Sequence, residues 1–64
     1  MNNLQTFESQ NGLTLSFNQK KRTQLESKIN KGEYVGVLGE LNKVNQIIKD
    51  LLALKSWAMA IDQL

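Results

Sequence analysis

The chain has 64 residues, with eight Lys and Arg against six Asp and Glu, and it contains no Cys, no His and no Pro. A chain of this length forms one small domain, residues 1–64. Its hydrophobic core alone supplies only about 3–5 kcal/mol of folding stability, so a disulfide, a metal or a partner chain is usually needed in addition. Because Cys and His are missing, neither a disulfide framework nor a zinc site is available, and we expect no metal and no cofactor. Oligomerisation is therefore the remaining source of additional stability.

The charge and hydropathy of the chain bear on its location. The first residues are polar and uncharged, unlike a signal peptide, and no apolar run approaches the roughly 20 residues that span a bilayer. We therefore expect a soluble, cytoplasmic protein without a membrane partner. The net charge of +2 is too small to decide for or against a nucleic-acid partner.

Residues 4–17 read LQTFESQNGLTLSF, in which Asn11-Gly12 is a turn signal between β-favouring residues. They predict a β-hairpin. A three-residue loop ending at Gly12 gives one apolar face, whereas a two-residue loop would mix polar and apolar side chains. A lone ribbon is marginal in water, so this face must pack on the helices or on a second chain. The predicted apolar face consists of Phe7, Leu13, Leu15 and Phe17.

A short helix is predicted next. Asn18 is a candidate N-cap for a helix running to about Lys31, which Gly32 would close in the left-handed conformation. A rival start is Thr23, where Thr-Gln-Leu-Glu matches a capping box. The glycine-rich segment 32–39 favours a turn that leads into the long helix between residues 37 and 40, and a short third strand is the alternative.

The C-terminal segment Val37–Leu64 predicts a long amphipathic helix, because its apolar residues recur at steps of three and four. Two successive steps of three after Ile48 predict that the apolar stripe swings around the helix, so that its two halves need different partners. Either the rest of the chain or a second chain covers the C-terminal half, and we favour a homodimer. The predicted interface consists of Leu41, Val44, Ile48, Leu51, Leu54, Trp57, Ile61 and Leu64. Trp57 suits both an interface centre and a core.

The basic triplet Lys20-Lys21-Arg22 is the strongest local charge feature. In the first turn of a helix, cations oppose the macrodipole, so the triplet is a candidate phosphate-binding site beside the helix N-terminus. The alternative is a solvated face with the helix starting at Thr23. Catalysis is not expected, since the carboxylates are scattered and a triad lacks its His.

From Leu13 to Leu52 the order of segments resembles the ribbon-helix-helix family of small dimeric repressors and antitoxins. The matching segments are LTLSF, the helix NQKKRTQLESKINK, the turn GEY and a second helix containing IIKDLL. The resemblance implies that paired strands from two chains enter the major groove of DNA. It assigns base reading to Thr14 and Ser16.

Two functions follow from these features. The first is a small non-enzymatic interaction protein, homodimeric through its long helix, that regulates or inhibits a macromolecular partner, as phage or plasmid accessory proteins of this size often do. The second is a dimeric DNA-binding transcriptional regulator of the ribbon-helix-helix type. The fold expected for both is α+β, with an N-terminal β-hairpin, one short helix and one long helix.

Overall fold

The computed structural model of the chain describes residues 2–64, which fold as a hairpin of two long helices. Helix α1 spans Asn3–Asn30 and helix α2 spans Val37–Asp62, and a connection of residues 31–36 joins them. The hairpin is a slender rod of 47 × 16 × 14 Å. The 28-residue α1 accounts for about 42 Å of this length at a rise of about 1.5 Å per residue.

The predicted α+β fold is wrong, because residues 2–64 contain two helices and no strand. The segment predicted as a β-hairpin forms the first half of α1. Gly12, the predicted turn residue, lies inside that helix with no positive φ angle. The helix predicted to begin at Asn18 or Thr23 therefore begins fifteen or more residues earlier, at Asn3.

A complete set of caps explains why α1 starts at Asn3. The Gln5 N–H donates to Asn2 Oδ1 at 2.7 Å, and the Asn2 N–H donates to Gln5 Oε1 at 3.3 Å, which forms a capping box. The N–H groups of Asn3 and Leu4 donate to the Asp62 carboxylate at 2.9 Å each. The free N–H groups of the first turn are thus satisfied, partly by a residue 58 positions away.

The connection was predicted correctly at both of its ends. Gly32 has a φ of 83° and closes α1 in a Schellman motif, in which its N–H donates to Ile29 O and the Glu33 N–H donates to Lys28 O. Gly36, with a φ of 73°, precedes α2 as its N-cap residue. The predicted turn is confirmed, and the alternative third strand is wrong. Positive φ is needed at both glycines because it turns the chain back within six residues.

The two helices bury one seam between them. On α2 the seam follows an unbroken alternation of four and three residues, so it does not swing around the helix as the sequence predicted. Lys55 continues the seam as a half-buried residue, while Leu54 and Trp57 lie outside it. The α2 seam residues are Val37, Leu41, Val44, Ile48, Leu51, Lys55 and Ala58.

The α1 side of the seam is partly polar, so the apolar pattern of the sequence did not indicate a helix there. Asn18 is buried at 7% exposure and donates from Nδ2 to Thr14 O at 2.8 Å. Asn11 and Arg22 are half-buried at two other seam positions. Together with the apolar seam residues they recur at steps of three and four, which is the spacing of one helix face. The α1 seam residues are Leu4, Phe7, Asn11, Leu15, Asn18, Arg22, Leu25 and Ile29.

Candidate interaction surface

The fold divides the predicted interface residues into two groups. Val44, Ile48 and Leu51 lie buried in the seam against α1, and Leu41 is half-buried beside them. Of the remaining four residues, Ile61 is half-buried at the edge of the seam and the other three are exposed, and all four follow steps of three and four from the last turns of α2 onward. This second group, which we call the C-terminal row, consists of Leu54, Trp57, Ile61 and Leu64.

The C-terminal row is largely open to solvent. Trp57 is 64% exposed and Leu54 is 51% exposed, whereas Ile61 is half-buried. Ile47, one heptad before Leu54, extends the same side of the helix toward the middle of the rod and is also exposed. Asp50 lies on this side between Ile47 and Leu54, so the uninterrupted apolar spacing is that of the C-terminal row itself.

A shallow groove of about 220 Å³ runs beside this row. Leu54 and Trp57 form its α2 wall, and the buried Phe7 and Ala58 contribute to its lining. The α1 wall is polar, since it carries Asn3, Thr6, Gln10 and Asn11. The groove therefore combines an indole and a leucine with amide groups, which is the mixture typical of a protein interface.

A second, larger groove of about 610 Å³ lies near the connection, and its lining differs in character. Its apolar members are Ile29 and Leu41, and the remaining lining residues are the polar Thr23, Glu26, Ser27 and Asn30. No wide apolar wall faces solvent there. This groove is thus a weaker candidate for binding another chain than the groove beside Trp57.

Asp62 has a structural role that the sequence did not reveal. The Leu4 N–H lowers the pKa of the Asp62 carboxyl, partial desolvation opposes this, and the Asn3 backbone and side chain lower the pKa further. The carboxylate also lies at the positive end of the α1 dipole. Asp62 thus connects the end of α2 to the start of α1, and no local sequence signal pairs these residues.

The basic triplet lies in the middle of α1, not in a first turn. Lys20 is exposed, while Lys21 and Arg22 are half-buried. Consecutive residues on a helix point about 100° apart, so the three cations do not converge on one ligand. The predicted conflict with the macrodipole is absent, and the α1 N-terminus, already capped by Asp62, lies about 25 Å away along the helix.

The predicted base-reading residues lie on a helix and not on the predicted strand. Thr14 and Ser16 are exposed on α1, where a separation of two residues points them about 200° apart. On a strand they would have shared one face. The paired ribbon expected from the ribbon-helix-helix resemblance is therefore missing from residues 2–64, whose only elements are the two helices.

Comparison with family models, with curated proteins and with solved structures found no match to this chain. The ribbon-helix-helix resemblance accordingly stays a prediction. Neither helix of the described chain is long and apolar enough to cross a membrane. Within residues 2–64, no three His, Cys, Asp or Glu side chains lie close enough together to hold a metal ion. The class of structure is an antiparallel helical hairpin that exposes apolar side chains beside its C-terminal groove.

Proposed function

We propose that this chain is a non-enzymatic interaction protein that pairs with a second copy along the C-terminal row and regulates a macromolecular partner as that dimer. The exposed Trp57 beside its groove is the observation that supports the proposal most directly. Tryptophan is enriched among residues that dominate binding energy, particularly where a pocket on the partner receives it.

The architecture of a two-helix hairpin supports pairing. Each helix can bury only one stripe against the other, which leaves the outer sides of both helices in water. Two such hairpins packed side by side form a four-helix bundle, in which a second stripe of each helix pair becomes covered. The C-terminal row supplies this second stripe on α2, and Ile47 extends it on the far side of Asp50.

A stable dimer of this rod has to cover one whole side of it. One side of the rod, 47 Å long and 16 Å wide, has a projected area of about 750 Å². Stable interfaces bury about 800 Å² on each partner, so the pairing must cover the whole side and not the C-terminal row alone. Covering the exposed part of one Trp57 side chain, about 100–160 Å², contributes roughly 2–4 kcal/mol at about 25 cal/mol per Å².

Light scattering on the purified chain tests the proposal. We expect a molar mass of two copies of the 7.3 kDa chain at micromolar concentration and a melting temperature that rises with protein concentration. Trp57→Glu should reduce the mass to one copy without loss of helix, because the residue lies outside the intramolecular seam. A monomeric wild-type chain whose melting is independent of concentration would refute the dimer.

Met59→Glu is the matched control. Met59 is exposed on the same two turns of α2 as Trp57, but it points away from the groove side of the helix. The same new charge at this position should leave the dimer intact. If both variants dissociate equally, the pairing surface is not the C-terminal row.

A further inference from the structure

The side of α1 that faces away from α2 carries a second pattern, independent of the C-terminal row. Residues at steps of four and three are exposed at every position from the middle of the helix to its end. Leu13 is 90% exposed and Phe17 is 65% exposed at the start of this pattern, and lysines dominate the rest. We call it the outer row, which consists of Leu13, Phe17, Lys20, Gln24, Lys28 and Lys31.

The outer row carries positive charge without acidic neighbours in the helix. The acidic residues of α1 are Glu8 and Glu26, which are 18 residues apart and thus point in the same direction after five full turns. Glu26 lines the larger groove together with Leu41 of α2, so this direction lies toward the other helix. Glu26 is two residues from Lys28 but points toward this groove, and Glu33 lies in the connection two residues beyond Lys31. The cations of the row therefore face solvent as a basic strip.

We propose that the outer row binds single-stranded nucleic acid, with lysines on the phosphates and Phe17 against a base. Lys20, Lys28 and Lys31 span about 16 Å along the helix axis, which suits an extended polyanion. Phe17 lies one turn before Lys20, so a base stacked on the ring places its own phosphate within reach of the ammonium group.

Two other polyanionic partners fit the row less well. An anionic membrane would need a wide apolar sector flanked by lysines, but the seam sector of α1 is already packed on α2 and only Leu13 and Phe17 remain. Duplex DNA keeps its bases stacked inside, so Phe17 would have no base face to contact. An exposed aromatic ring in line with lysines therefore favours a single strand.

Fluorescence anisotropy with labelled oligothymidylate measures this binding. For three lysines on phosphates, the logarithm of the association constant should fall with the logarithm of salt concentration with a slope of about −2. Lys20→Gln/Lys28→Gln should flatten the slope to about −0.7. The control Lys43→Gln/Lys49→Gln removes the same charge from exposed positions of α2 and should leave the slope unchanged.

Phe17→Ala separates stacking from charge. It should weaken binding roughly five- to hundredfold at every salt concentration with an unchanged slope, because the ring contributes contact area and no charge. Absence of binding at low salt, equal flattening by both double variants, or tighter binding of duplex DNA or of anionic phosphatidylglycerol vesicles would each overturn the proposal. The molar mass from light scattering is independent of these outcomes, so the proposed dimer stands or fails separately.

Discussion

Replacing Gly12 with alanine tests the fold of the N-terminal half of the chain, because a helix and a β-hairpin predict changes of opposite sign in the free energy of unfolding. In the helical hairpin Gly12 lies inside α1, and a Cβ built there meets no atom within 4 Å. Alanine relieves the conformational entropy cost of glycine in a helix, which is roughly 0.5–1 kcal/mol. Gly12→Ala should therefore raise the free energy of unfolding by about that amount.

If residues 4–17 formed a β-hairpin instead, Gly12→Ala should lower the free energy of unfolding. There Gly12 would occupy the left-handed conformation at the end of the loop, where a Cβ costs roughly 1 kcal/mol or more. Urea unfolding followed by far-ultraviolet circular dichroism measures the difference, and an increase of 1 kcal/mol would appear as about 4–8 °C in the melting temperature. Protein concentration must be equal for all variants because the proposed dimer couples association to stability.

Gly32→Ala serves as the internal control. This glycine has a φ of 83° in the Schellman motif, and a Cβ there also meets no atom within 4 Å. Backbone strain alone should thus lower the free energy of unfolding, by about 1 kcal/mol. A destabilising Gly12→Ala would contradict a helix through residues 3–30, whatever Gly32→Ala does.

Three further predictions concern the seam and the Asp62 cap. Ile48→Ala removes a side chain with 2% exposure and should lower the free energy of unfolding by about 2–5 kcal/mol, whereas Met59→Ala, at an exposed position off the C-terminal row, should change it by less than about 0.5 kcal/mol in urea titrations. Asn18→Leu should leave stability equal or higher, because the buried amide makes one side-chain hydrogen bond and apolar packing can replace it; a large loss in the same assay would show a stronger polar contact across the seam. Because its folded-state pKa lies below the ordinary value of 3.8, Asp62 stabilises the fold above about pH 4, and this contribution disappears as pH falls through the lowered pKa. Asp62→Asn should reduce both the stability near neutral pH and its decline in acid, and identical acid titrations of the two proteins would contradict the cap.

The sequence by itself determined the features that depend on neighbours along the chain. Gly32 marked the left-handed end of the first helix, and the glycine-rich segment marked the turn before α2. The apolar spacing after Val37 predicted a long helix, which is confirmed. Each of these signals arises within one or two turns of backbone, where conformational preference and capping act directly.

Tertiary structure alone decided the N-terminal half. The spacing of Leu13, Leu15 and Phe17 suits a strand, but Leu15 also belongs to a helical series with Phe7 and Asn18. Local conformational preference does not decide between strand and helix here, because an isolated two-stranded ribbon and an isolated helix with a partly polar buried face both have marginal stability in water. The seam of α2 selects the helix, because a helical α1 presents a matching stripe along nearly its full length and receives the Asp62 carboxylate at its start. The same packing leaves Trp57 uncovered, because the seam of α2 runs through Leu51, Lys55 and Ala58 and passes beside the indole.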